Sequence, residues 1–279
     1  MRRSTTSVVI DRRVADRRRL GAVLGAELIC AVFIVAGPGS APTSPMIAAP
    51  SSAASLTTAT APLPAPTSIT LPDGRTARLV DLGAPDGQIL LGRIAAELPA
   101  ASDAVSAFWG PQWKQDIEVV VSGSPEQFAT LGAGGTDIAA TTTADRIMFS
   151  PAAATMNDGD LRIVLRHELF HYAARPDTAA DAPVWLTEGV ADFAARPRDP
   201  APRRPAALPT DAELSTPGAG RSAAYDRAWQ FASFVAATYG VPALRELYVA
   251  ACGPGHGDVA TAVREVLGVE PESLTAGPS

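Results

Sequence analysis

His167-Glu168-Leu169-Phe170-His171 is the stretch on which the reading of this chain turns. On a helix, residues i and i+4 lie one above the other, so His167 and His171 can aim two imidazoles at a single ion. Glu168 sits one step round, where its carboxylate can reach a water held by that ion without being a ligand. The chain has three histidines, and this segment uses two of them. The flanks predict a helix. Leu161, Leu165, Leu169 and Tyr172 form one apolar stripe, with Val164 at its edge and the histidines on a different arc. Asn157-Asp158-Gly159-Asp160 offers capping groups before it, and Arg175-Pro176 ends it.

A tetrahedral site with an open position needs one more protein ligand. It is offered by the segment Pro183-Val184-Trp185-Leu186-Thr187-Glu188-Gly189-Val190-Ala191-Asp192-Phe193. Asp181 is placed to cap a helix here, and Pro183 suits its first turn. Glu188 and Asp192 are i and i+4 and share a face. Glu188 can be the third ligand, and Asp192 can accept from the outer ring nitrogen of a ligand histidine, fixing its tautomer. Gly189 lets this helix approach a neighbour closely.

His-Glu-Leu-Phe-His followed by Trp-Leu-Thr-Glu-Gly-Val-Ala-Asp resembles the gluzincin metallopeptidases, most of all the small bacterial peptidase-MA-like domains. The likeness covers residues 161–196. It implies one zinc ion on His167, His171 and Glu188, with Glu168 as general base and Asp192 behind the ligands. A looser likeness at Ala224-Tyr225-Asp226-Arg227-Ala228 is to a helix commonly found after such sites. Gluzincins often stabilise the tetrahedral oxyanion with a Tyr or His from downstream. Tyr225 is the first candidate for that role and His256 the second. The resemblance also implies that a strand before the zinc helix binds peptide backbone by β-addition, and residues 145–150 are the candidate edge.

The net charge of −6 argues against a nucleic-acid partner. Two cysteines, Cys30 and Cys252, have no metal-ligand spacing and form no disulfide framework.

Residues 1–19 carry seven arginines and read as a cytoplasmic basic segment. Residues 20–37 are apolar except for Glu27 and read as a transmembrane signal anchor or a cleaved signal peptide. Residues 38–68, rich in Pro, Ala, Ser and Thr, read as a disordered linker. The folded domain is expected over 69–279. In it, Pro72-Asp73-Gly74 is a turn between two short strands. Ile89 to Trp109 has helical spacing, which Pro99 is expected to disturb or to split into two helices. Ile117 to Val121 and Ile147-Met148-Phe149 are strand candidates, and Pro125 to Leu131 is a short helix. Residues 197–222 read as a long loop beside the site. Helices follow over Tyr225 to Tyr239, Pro242 to Val249 and Asp258 to Leu267, closed at Gly240 and Gly268.

The expected fold is α+β: a small antiparallel or mixed sheet packed on the His-Glu-Leu-Phe-His helix, then a mainly helical C-terminal subdomain, zincin-like by the resemblance. The expected function is a zinc-dependent peptidase acting on peptide or protein, endopeptidase by default. It is expected to be tethered to the cell membrane through residues 20–37 with its catalytic domain outside, or secreted if that segment is cleaved. A reading from another class is a non-catalytic extracellular binding module on a metallopeptidase-like scaffold.

Overall fold

A computed structural model describes residues 6–9, 63–132, 138–216 and 218–276. The sheet begins with β1 (Thr6–Val9), then β2 (Thr67–Thr70) and β3 (Thr76–Asp81). Pro72-Asp73-Gly74 turns the chain between the last two, which pair antiparallel. Gly74 takes φ 88°, a conformation glycine adopts without a Cβ clash. Parallel neighbours need a crossover, and α1 (Gly87–Trp109) provides it, so that β4 (Asp116–Val121) runs parallel to β3. After α2 (Pro125–Gly132), β5 (Ile138–Thr142) and β6 (Ile147–Phe149) form a hairpin, with β6 parallel to β4. β1 pairs antiparallel with β5, giving the order β1-β5-β6-β4-β3-β2.

Side chains alternate across these strands and divide the core in two. Val119, Val121, Ile147 and Phe149 face the larger core, shared with α1 and with α3 (Asp158–Ala174). Val120 and Met148 face the other way, onto Phe128 of α2. α3 is fixed along its length. Asn157 caps it by accepting from Asp160 N–H, and Arg162 grips Glu97 of α1 with two hydrogen bonds of 2.9 Å. Near its C-terminal end the Tyr172 hydroxyl donates to Asp116 O of β4 at 2.8 Å. The chain then becomes helical: α4 (Val184–Ala195), α5 (Asp211–Ser215), α6 (Ala219–Tyr239), α7 (Val241–Cys252) and α8 (Val259–Leu267). The protein is thus a mixed α/β fold whose strands precede its helical half.

Several expectations change. Pro99 lies inside one continuous α1. Pro99 and Ala95, whose carbonyl loses its partner, are both half-buried, so water can take the freed acceptor. Residues 145–150 are no edge, because β6 lies between β5 and β4. The 197–222 stretch contains α5, whose Thr210–Glu213 capping box is formed. Asp181 does not cap α4; Asp211 of α5 does part of that work, accepting from Trp185 N–H at 2.9 Å.

The largest correction concerns the membrane. Among the described residues no helix is long and apolar enough to cross one. The two longest, α1 and α6, carry Arg93, Glu97 and Asp103 in one case and Arg221, Asp226 and Arg227 in the other, and such charges are costly in a bilayer. Residues 20–37 lie outside the described residues. A single-pass placement with the catalytic domain outside is therefore withdrawn.

Candidate metal centre

The 3.6-residue period of α3 brings His167 and His171 onto the side that meets α4, and Glu188 and Asp192 come from the facing side of α4. All four side chains are buried. His167 Nε2 lies 3.1 Å from Glu188 Oε2 and 3.0 Å from His171 Nε2, and His171 Nε2 lies 3.5 Å from Glu188 Oε1. Among the described residues these three form the one group of His, Cys, Asp and Glu that could hold a metal ion. Glu188 and His171 are 17 positions apart in the chain (188 − 171), and the site exists only because α3 and α4 pack together.

The donor set fits zinc. Bonds of about 2.0–2.2 Å in a tetrahedral site put neighbouring donor atoms roughly 3.3 Å apart, close to the 3.0 Å between the two imidazole nitrogens and the 3.1 Å from His167 Nε2 to Glu188 Oε2. The crowding points the same way. Two imidazole nitrogens and a carboxylate lie within 4.8 Å of one another, and all three residue types are zinc ligands when deprotonated.

Electrostatics of the metal-free cluster follow from burial and proximity. Burial pushes the His167 pKa down, but hydrogen bonds to Asp192 and Glu188 outweigh it and lift it to about 10. His171 is lowered by burial. Burial pushes Glu188 up, yet the neighbouring His171 and His167 rings hold it down at about 2.

Behind the ligands, His167 Nδ1 lies 2.9 Å from Asp192 Oδ1. A proton on Nδ1 leaves the Nε2 lone pair directed at the cluster. Sequence reasoning missed what holds Asp192. Arg196 is 2.7 Å from Asp192 Oδ2 and 2.7 Å from Asp226 Oδ1 of α6, so one buried guanidinium ties α4 to α6. Its signal was present: Glu188, Asp192 and Arg196 continue one i,i+4 stripe. Gly189 makes the close approach of these helices possible, since a Cβ there would stand 2.5 Å from Ala228 O.

The two oxyanion candidates part company. The Tyr225 hydroxyl is hydrogen-bonded to Glu188, and burial with the charges of Glu188 and Asp192 raises its pKa well above the ordinary value. His256 is held elsewhere: Nδ1 meets Gly257 O at 2.7 Å, and Nε2 faces Asp181 at 3.6 Å. A residue that sequence reasoning did not single out, Thr142 of β5, reaches Glu168. Its hydroxyl lies 2.7 Å from Oε2 and 2.9 Å from the Glu168 carbonyl oxygen. Cys252 is a buried free thiol, its pKa pushed up to about 12 by burial and the charge of Asp211.

No protein-family model matches the chain, and no curated protein does. Among solved structures it is similar to a mutant M1 zinc metallopeptidase from Deinococcus radiodurans, at 18% identity and TM-score 0.45. It is also similar to a mutant two-domain M1 zinc metallopeptidase bound to L-arginine, at 19% identity and TM-score 0.47. Each match covers 75% of this chain and 49% of the neighbour, so the chain spans about half the length of these relatives.

Proposed function

We propose that this chain is a gluzincin-type, zinc-dependent peptidase of zincin-like fold, with one zinc ion on His167, His171 and Glu188. The observation that carries the reading is the buried group His167, His171 and Glu188, whose ligand atoms all lie within 4.8 Å of one another, with Glu168 next to His167 in the chain. A zinc ion held by His167, His171 and Glu188 would supply Lewis acidity for a scissile carbonyl and would lower the pKa of a bound water to about 7. Glu168 takes the proton of the attacking water and later delivers it to the leaving amine. Asp192 keeps His167 in the tautomer that presents Nε2. Tyr225, a phenol and therefore neutral at neutral pH, has an O–H to donate. It turns its hydrogen bond from Glu188 to the tetrahedral oxyanion. His256 is the less favoured alternative because Gly257 and Asp181 engage its ring.

The test is Glu168→Gln in the zinc-loaded protein, assayed by peptide-cleavage profiling. Hydrolysis should fall by about 10²–10⁴-fold with zinc content unchanged, as expected for loss of a general base. A wild-type protein that cleaves no member of a broad peptide library, or a variant that cleaves as well as wild type, would sink the reading.

A further inference from the structure

We infer that Thr142 is the positioning residue for the Glu168 carboxylate, holding its Oε2 through the Thr142 hydroxyl. The inference rests on the peptidase reading above for its catalytic meaning, though not for its geometry.

The placement follows from the strand. Thr142 ends β5 opposite Ile147, and Ile147 faces the larger core that contains α3. Its neighbour Thr141 stands opposite Met148, on the α2 side, with its methyl against Gly132. Thr143 lies in the turn, and its hydroxyl donates to Arg146 O at 3.2 Å. Three consecutive threonines therefore face three environments, and Thr142 is the one directed at Glu168. It is 1% exposed, and β-branching leaves its χ1 little freedom.

The chemistry is a matter of counting protons. A threonine hydroxyl has one proton to give and lone pairs to receive with. Thr142 Oγ1 meets two oxygens of the same residue, Glu168 Oε2 at 2.7 Å and Glu168 O at 2.9 Å. When Glu168 is ionised, the hydroxyl donates to Oε2. When Oε1 carries the proton taken from water, Oε2 is the carbonyl oxygen of the acid and still accepts from the same hydroxyl. The same atom thus holds Oε2 before and after proton transfer, and the carboxylate need not find a new orientation during turnover. Valine has nearly the same shape and can do neither.

The experiment compares Thr142→Val and Thr142→Ser with wild type and with Glu168→Gln, all zinc-loaded. In Thr142→Val, kcat should fall about 10–100-fold, the range for removing a partner that orients a functional group. KM and zinc content should be unchanged, and Thr142→Ser should restore most of the rate. Full kcat in Thr142→Val, a loss carried by KM or by zinc, or failure of Ser to rescue would overturn the inference. A crystal structure of Thr142→Val supplies a readout that needs no activity. The Glu168 carboxylate should leave its wild-type position or divide among rotamers; if it stays, the inference fails even where the kinetics change. If no wild-type hydrolysis is found, the peptidase reading fails, and the crystal structures still decide whether Thr142 positions Glu168.

Discussion

Two of the buried polar clusters among the described residues make a useful contrast, and of these only the α3–α4 one has the composition of a metal site. At the β2–β3 turn, Arg75 is 2% exposed and stacks on Trp113, 3.6 Å from the ring centre. Its guanidinium donates to Asp73 Oδ2 at 2.6 Å, Pro111 O at 2.7 Å and Lys114 O at 3.2 Å, while Ser102 donates to the same Asp73 oxygen. All three guanidinium nitrogens meet acceptors, and the one cation sits beside an anion. The α3–α4 cluster is built the other way: two carboxylates and two imidazoles with one guanidinium at the back, and three ligand atoms within 4.8 Å of one another. A closed set of hydrogen bonds stabilises a turn; two imidazoles and a carboxylate gathered at one place can exchange the extra proton of His167 for a cation. Burial alone does not tell the two apart.

The largest effect that could break this comparison is on stability. Arg75→Met removes one partner of a buried pair together with the Trp113 stack. It should cost about 3 kcal/mol, the low end for such pairs because Asp73 is partly exposed. Urea unfolding should give the same loss with and without zinc. A loss that zinc reverses would mean the two clusters are not independent.

The counterpart is zinc itself. At 100 times its Kd, zinc should stabilise the wild-type protein by about 2.7 kcal/mol, by linkage to the folded state. Glu188→Gln should abolish that increment, and calorimetry with and without chelator measures it. A zinc-dependent shift that survives in Glu188→Gln would remove Glu188 from the ligand set.

How much of this could be read from the chain depends on distance along it. The His167–His171 pair, the Glu188–Asp192 pair, the Asn157 cap and the 72–74 turn are all set within a few residues, where periodicity and turn chemistry act. The capping box at Thr210–Glu213 is equally local, but the Pro- and Arg-rich residues around it mask the short helix it starts. What could not be read is what tertiary packing decides. Strand order put β6 in the sheet interior. A 26-residue separation hides the bond from Thr142 to Glu168, and another hides the cap that Asp211 gives α4. Pro99 is tolerated inside α1, where it costs one backbone hydrogen bond at a half-buried position.

A smaller perturbation tests whether the site depends on helix spacing. Gly189→Ala puts a methyl against the Ala228 backbone of α6, and that backbone cannot swing aside as a side chain could. The cost should be about 1–2 kcal/mol, in the overpacking range. Because Arg196 bridges α4 to Asp226 of α6, zinc affinity should fall as well, while the Arg75 cluster is left alone. Zinc titration beside equilibrium unfolding separates the two consequences. Unchanged affinity at reduced stability would show that the Asp192–Arg196–Asp226 link tolerates the displacement.

The smallest expected effect is at the acid limb of stability. Burial raises the Asp73 pKa, but hydrogen bonds from Ser102 and Arg75 together outweigh it and hold it below its ordinary 3.8. A carboxylate with a depressed folded-state pKa stabilises the fold above its unfolded value, and that contribution is lost as pH falls through the folded pKa. Asp73→Asn should therefore be less stable than wild type near neutral pH, and the gap should narrow once pH drops below about 4. The difference between the two proteins, followed by unfolding across the acid range, isolates this group from Glu188, which both retain. A gap that stays constant with pH would show that Asp73 acts through shape and not through charge. The turn cluster would then be held by the Arg75 contacts to Pro111, Lys114 and Trp113 rather than by its ion pair.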